Sequence, residues 1–518
     1  MNGRLGASQT AEPAPAPWPP GPAALSLCAL AMSLAVSLPT IAMLPPWGDE
    51  AITLRAIARP TAELIPERLG EAHSPVYFLL LRFLKVSDRS LFWLRLPSAL
   101  GVAFGAACMA RIAYRLGGER AGGWRAALLL MPLYACSPVI VIEAQNARPY
   151  GLLYGFLGLL AWSASQVLDH PRQARDAWRR RSRRAAARLR VAWAGVGLGA
   201  LGLVAMMPLG LLAVLASDCA LLWCARRRPG RRLLRPWFCL RAVTLALLTP
   251  LFHGLHAGIS RRAGNYWPPE FGWDSLRDVL TKASGATLSY RDPQYFLGED
   301  GGRVLFWALC LCMVLGLAWA RRRRSLVLVI ALAVVPQLLL LLVSLHTSVL
   351  VGRYFTIATP ALVVLTALGL AGLWQRRRRI ALIVAAPTLV LLLLQSLDAM
   401  HQLGKPRFDL AVARLRDAGI ERLGFYARSH VLANSVAFHL DKDSRGLRLR
   451  RPWQAVLAAE SGLLVWILDA RVPIHPVWSF FAGRRGLGHC DLQVDGLHSL
   501  AIARIPEALA ASCPQGSD

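Results

Sequence analysis

Charge is what this sequence has least of. Charged residues fill 17% of its 518 positions, against 55% hydrophobic ones, and the mean hydropathy is +0.42. A soluble globular domain typically carries about 25% charged residues, so an ordinary soluble protein is excluded and a bilayer is the natural solvent. Acidic residues are scarcer still: 30 Asp and Glu face 59 Lys and Arg, for a formal net charge of +29. Such an excess fits nucleic-acid binding when basic residues cover a surface and alternate with stacking aromatics. Here they are gathered into arginine blocks between apolar runs, which is the signature of cytoplasmic loops.

Metal-ligand spacing is missing from the ten cysteines. Cys28, Cys108, Cys136, Cys219, Cys224, Cys239, Cys310 and Cys312 lie in apolar stretches, where cysteine acts as a small hydrophobe. Cys490 and Cys513 fall in the polar C-terminal region, where an oxidising compartment permits a disulfide; the sequence leaves that pairing open. Internal repeats are absent as well. Residues 1–22, rich in Ala and Pro, read as a disordered cytoplasmic tail. The apolar run 23–44 is long enough to span and is followed by no convincing cleavage site, so it reads as an anchor rather than a signal peptide.

Ten further runs have the length and composition of spans: 96–116, 125–142, 151–168, 191–206, 208–225, 237–257, 303–320, 326–346, 354–374 and 380–397. The expected fold is therefore an all-α polytopic membrane protein of about eleven helices. Five connecting loops are strongly basic (111–125, 172–190, 226–241, 321–324 and 376–379), and they alternate with neutral or acidic ones, which places every arginine block in the cytoplasm. The run 75–86 is too short to span and is interrupted by Arg82 and Lys85, so it is expected to lie along the interface. With that parity, loops 45–95, 143–150, 258–302 and 346–353 share the outer face. Beyond 397 the pattern changes, with helical periodicity at 408–418 and a strand-like run at 463–468. Three regions follow: the tail 1–22, a transmembrane catalytic domain 23–397, and a small extracytoplasmic α/β domain 398–518.

The outer loops hold the residues with chemical character. Asp49 and Glu50 stand side by side just after the first span, where a solvated loop feature is the bland reading and a functional acid the alternative. His73-Ser74-Pro75 introduces the short interfacial segment. Glu143-Ala-Gln-Asn-Ala-Arg148-Pro149-Tyr150 is a polar run between two apolar helices, where charge is costly unless paired or used; a Glu143–Arg148 pair closing a hairpin is the bland reading. Arg353, followed by Tyr354, breaks the positive-inside pattern. A bound phosphate gives it a task, since a guanidinium matches phosphate oxygens bidentately, while a snorkelling anchor is the alternative.

In this order the motifs, Gly48-Asp-Glu-Ala, His73-x-Pro, Arg95-Leu-Pro-Ser-Ala-Leu, Glu143 through Arg148-Pro-Tyr-Gly-Leu, and Arg353-Tyr with a following Pro, resemble the GT-C superfamily of polyprenyl-phosphate-sugar glycosyltransferases. The nearest subgroup includes protein O-mannosyltransferases and the transferases that modify lipid A with aminoarabinose or galacturonic acid. The resemblance covers about residues 23–375. Two departures stand out: Glu143 and Arg148 are separated by four residues where relatives have Glu-Ala-Arg-Pro-Tyr, so Glu143 and Gln145 compete for the acidic position, and His73-Ser74-Pro75 replaces His-Pro-Pro.

The resemblance implies an inverting transfer of a sugar from a polyprenyl-phosphate donor to an envelope acceptor (glycolipid, lipid A, polysaccharide or protein) at the outer face of the cytoplasmic, or inner, membrane. Its implied partners are that donor, the lipid or glycan acceptor and membrane lipids, with no nucleic acid. Asp49 is implied as general base, with Glu50 beside it as the second catalytic carboxylate. Arg353 first and Arg148 second are implied to hold the departing phosphate, where charge develops. Tyr354 is implied to pack on the polyprenyl chain, and His73, Glu143 and Tyr150 to position substrate. No cofactor is required; a divalent metal beside the acids is left open. A lipid or solute transporter or flippase is the competing reading, and a membrane scaffold a third, but transporters favour midplane charges and repeated halves.

Overall fold

The computed structural model describes residues 21–43, 46, 48–85, 90–118, 122–169, 183–226, 231, 233–262, single positions between 272 and 279, 298–320, 323–345, 351–401, 412–413, and five strands between 423 and 503. The tail, most of loop 258–302, most of the periodic segment 408–418 and the side chains of Cys490 and Cys513 lie outside the described residues.

Among the described residues the chain is a multi-pass helical membrane protein. Seven helical runs are long and apolar enough to cross a bilayer: α5 (Leu91–Gly117), α8 (Tyr150–Asp169), α9 (Arg183–Met206), α11 (Leu234–Arg262), α13 (Arg323–Ser344), the run from Gly352 to Arg376, and α16 (Arg378–His401). The span expected over 125–142 is broken into α6 (Gly123–Ala135) and α7 (Pro138–Ala144), bent by 64°. Pro138 at the start of α7 cannot donate back into α6, and the Cys136 carbonyl released at the bend accepts the Ser396 hydroxyl at 2.6 Å. The other three expected spans are the shorter apolar helices α1 (Pro22–Ser37) and α10 (Gly210–Ala225) and the apolar part of α12 (Gly298–Trp319).

Helices in lipid gain little from hydrophobicity against one another and depend on close approach. The contact between α5 and α8 shows this. A Cβ on Gly101 would lie 2.6 Å from the Gly151 carbonyl oxygen, and one on Gly151 2.6 Å from that of Ser98. Only glycine lets the two backbones meet here, and the meeting brings Ser98 to the segment that precedes α8.

The bundle has two chemically different ends. At one, Arg115 lies 3.5 Å from Asp169 at the end of α8, Ser325 donates to the same carboxylate at 2.6 Å, and Arg324 donates to the Leu168 carbonyl. Arginines from two separate basic loops therefore gather at one end. The opposite end carries three short helices, α2 (Gly48–Ala58), α3 (Thr61–Gly70) and α4 (Val76–Phe83). At eight residues α4 is about 12 Å long, well short of the hydrocarbon thickness. Arg82 on α4 donates to the Ile57 carbonyl at 2.8 Å, and Ser74 just before α4 donates to the Ala205 carbonyl, so the short helices are tied to one another and to α9.

In the C-terminal region the strands β1 (Leu423–Tyr426), β2 (Gly446–Leu449), β3 (Leu464–Ile467), β4 (Gly488–Val494) and β5 (Leu497–Ala503) form one mixed sheet in the order β2-β1-β3-β5-β4. β1 runs parallel to β2 and β3, while β5 is antiparallel to both β3 and β4. β3 coincides with the strand expected at 463–468.

Candidate active site

The first turn of α2 carries two carboxylates, as suits the positive end of a helix dipole. Their surroundings differ completely. Glu50 has no exposed surface. Arg95, one turn into α5, grips it bidentately, Nε to Oε1 at 2.8 Å and Nη2 to Oε2 at 2.6 Å, while the Ala147 amide donates to Oε1 at 2.8 Å. Arg95 also donates to the Ile41 carbonyl at 2.7 Å. Both oxygens of Glu50 are committed to structure. It was expected beside Asp49 as a catalytic carboxylate, and the structure sets it against Arg95 and the Ala147 amide.

Asp49 is buried too, but with one oxygen engaged. Its Oδ2 accepts from Arg353 Nη1 at 2.5 Å and lies 3.6 Å from Arg148 Nη2. Its Oδ1 accepts no hydrogen bond from any described residue. Burial alone would raise its pKa, but the charges of Arg148 and Arg353 and the Arg353 hydrogen bond outweigh it and hold the group well below the usual carboxylate range. Two guanidinium groups against one carboxylate leave this buried cluster with a net charge of about +1.

Arg148 reaches the site from the non-helical stretch between α7 and α8. That stretch is fully buried, so its backbone groups need partners, and neighbouring helices supply them. Thr53, one turn after Asp49 on α2, donates to the Ala147 carbonyl at 3.2 Å, and Ser98 on α5 donates to the Arg148 carbonyl at 3.1 Å. The Gln145 amide donates to the Ser37 carbonyl at 3.1 Å and to Thr40, tying the stretch to the end of α1. Of the two competitors for the acidic position, Gln145 is thus a brace, and Glu143 is buried at 3% exposure at the end of α7. Arg148 turns to Asp49, and its Nε has no hydrogen-bond partner.

Arg353 sits on the single-turn helix α14 (Gly352–Phe355), which a 3₁₀ turn (Thr356–Ala358) joins to α15 (Thr359–Arg376). The Thr356 hydroxyl donates to the Arg353 carbonyl at 2.7 Å, Gln337 to the Phe355 carbonyl at 3.0 Å, and Tyr154 of α8 to the Thr356 carbonyl at 3.2 Å. These bonds anchor an irregular turn at the head of a buried helix. The Tyr354 ring lies 5.9 Å from the Arg353 guanidinium carbon and packs on Phe355, Leu340 and Val279.

His73, in the turn between α3 and α4, is held by a 2.7 Å contact of its Nδ1 with the Glu71 carbonyl. Burial, then the charge of Arg148, push its pKa down to about 4, so the ring is neutral at pH 7. Both Asp49 and Arg148 act on it electrostatically, which places it beside the same cluster. Tyr150, the first residue of α8, is buried within electrostatic range of Arg353, Arg148 and Glu143. Among the described residues no group of three side chains has metal-ligating character.

Residues that were not assigned tasks from sequence prove central to the geometry: Arg95, Thr53 and Ser98. Arg95 was legible as an arginine at the non-cytoplasmic end of a span, the same anomaly that singled out Arg353. Ser98 was visible only as a member of the Arg95-Leu-Pro-Ser-Ala-Leu motif, and Thr53 gave no signal, because a hydroxyl near a helix end is commonplace.

No protein-family model and no curated sequence matches the chain. Solved structures do. ArnT from Cupriavidus metallidurans in the apo state aligns with a TM-score of 0.57 at 13% identity, over 93% of this chain and 98% of that one. The same protein bound to undecaprenyl phosphate aligns with a TM-score of 0.54 at 13% identity over the same shares. The chain thus shares its fold with ArnT.

Proposed function

We propose that this chain is an inverting glycosyltransferase of the cytoplasmic membrane that takes a sugar from a polyprenyl-phosphate donor and passes it to an envelope acceptor, with Asp49 as general base. One observation carries the reading: a buried carboxylate sits between two arginines from distant parts of the chain. That arrangement suits a reaction in which a proton must leave the acceptor while negative charge grows on a phosphate.

The charges balance on both sides of the reaction. Before transfer, ionised Asp49 and a phosphodiester donor contribute about −1 each against two guanidinium groups. As the glycosidic bond breaks, the electron pair stays on the phosphate oxygen, making a monoester of charge about −2. The acceptor oxygen or nitrogen forms the new bond to the anomeric carbon, and its proton goes to Asp49, which becomes neutral. The cluster is neutral throughout, so no uncompensated charge has to be buried in the transition state.

Arg148 is the better first contact for the phosphate, since it stands 3.6 Å from Asp49 while Arg353 is bound directly to that carboxylate. Arg353 follows as protonation of Asp49 weakens their 2.5 Å pair. Neutral His73 positions the sugar or acceptor by hydrogen bonds, with Glu143 and Tyr150 lining the same region. Tyr354 offers a ring to the polyprenyl chain. The undecaprenyl phosphate bound to ArnT, a structure of the same fold, supports the donor class. The alternation of arginine blocks supports an outer-face site, with residues 398–518 as a small extracytoplasmic domain. The test is a mass comparison of envelope lipids, polysaccharides and glycoproteins from cells with and without the protein. One fraction should lose a mass increment of one sugar; an unchanged profile in all of them would end the proposal.

A further inference from the structure

Arg148 owes its place to no side chain of its own segment. The backbone on either side of it is held from outside: the Ala147 amide by Glu50, the Ala147 carbonyl by Thr53, and the Arg148 carbonyl by Ser98. Glu50 and Thr53 belong to α2, the helix that carries Asp49, and Thr53 also bonds back to the Asp49 carbonyl at 3.1 Å. Arg95 locks Glu50 through two parallel hydrogen bonds and anchors the assembly to the Ile41 carbonyl after α1. The carboxylate and the guanidinium of the site are thus registered against each other through one buried frame.

We infer that Glu50, Arg95, Thr53 and Ser98 are positioning residues whose task is to fix the distance between Arg148 and Asp49, so that a phosphate can lie on Arg148 while Asp49 stays within reach of the acceptor. This role rests on the transferase reading, because it presumes that Arg148 receives the donor phosphate. It gives Glu50 a task other than proton transfer: its two oxygens receive two hydrogen bonds from Arg95 and one from the Ala147 amide. It also explains why the short polar stretch 145–149 lies buried rather than folding as helix. A helical turn there would satisfy its own backbone and leave nothing for α2 and α5 to hold.

The experiment titrates undecaprenyl phosphate into the full chain in detergent micelles. Thr53→Val with Ser98→Ala removes two hydroxyl donors and almost no volume, so the protein should melt within a few degrees of the unaltered one. Its dissociation constant is expected to rise about tenfold, the size of two modest hydrogen bonds lost from the frame. Ser98→Ala alone, the gentler variant, should give about threefold. The decisive arm repeats the double substitution in an Arg148→Ala background, where it should change the constant no further, because a frame without its arginine has nothing to place. An unchanged constant in the double variant, or a tenfold change that persists without Arg148, overturns the positioning role while leaving the transferase reading intact. Failure of the unaltered protein to bind undecaprenyl phosphate overturns both.

Discussion

Each end of the helix bundle buries an aspartate beside arginines, and the two are built for different ends. Asp169, at the basic end, sits with Ser325 at 2.6 Å and Arg115 at 3.5 Å, where Arg324 arrives from a separate loop. Its partners hold α5, α8 and α13 together, and nothing about it is strained. Asp49, at the opposite end, is outnumbered two to one by arginines in a closed space. A cluster with surplus charge of one sign costs stability until something of the opposite sign arrives. The comparison suggests that an ion pair becomes a site when its charges do not cancel within the protein.

Substitution at the two aspartates is the strongest way to break that comparison. Asp49→Asn should lower transfer by about 10³-fold, in the range for loss of a general base, with membrane insertion and yield retained. Asp169→Asn should stay within about twofold of the unaltered rate, since Asp169 lies at the end of the bundle opposite Asp49. Equal losses from both, measured by transfer to the identified acceptor, would dissolve the distinction.

Glu50 sharpens it from the stability side. Glu50→Gln leaves Arg95 buried with its partner's charge gone, which should cost about 3–5 kcal/mol and show as a large fall in melting temperature in detergent. Asp49→Asn also removes a buried charge from beside two arginines and should lower the melting temperature too. The two neighbours then separate by rate: transfer by the folded fraction should collapse in Asp49→Asn and be largely kept in Glu50→Gln.

The smallest effect concerns pH. His73 has its pKa lowered to about 4 from the ordinary 6.5, so the unfolded chain binds its proton first as pH falls. Its contribution to stability is fully present above pH 6.5 and is lost as pH falls from 6.5 toward 4. Asp49, held below the usual carboxylate range, contributes stability at neutral pH that begins to fade only below about pH 4. Melting temperatures between pH 7.5 and 4.5 should therefore decline, and His73→Gln should flatten that decline. A slope unchanged in His73→Gln would assign it to another group.

Much of this was legible beforehand because apolar runs and arginine blocks are local signals. Among the described residues seven of the runs expected to span are helices long and apolar enough to cross, an eighth is the bent pair α6–α7, three are shorter apolar helices, and α4 is as short as its interrupted apolar run implied. The bend itself was hidden, because Pro138 lies in a run whose hydropathy continues unbroken. The site was legible as a set of residues whose charges lacked a reason, and Asp49 and Arg353 meet across 304 positions of chain. The pairing partners were not legible. Arg148 was as well placed in sequence for Glu143 as for Asp49, and Arg95 had no sequence mark that tied it to Glu50.

Composition and the spacing of basic loops alone determined that this chain lives in a bilayer and which residues carry unexplained charge, since the cost of placing charge in lipid acts on each segment separately. Only the tertiary structure separated the surroundings of Asp49 from those of Glu50. Neighbouring side chains on a helix point about 100° apart, so one faces α5 and is consumed by Arg95 while the other faces the two arginines brought from afar. No local rule distinguishes them; the difference is in what the rest of the chain sets opposite each.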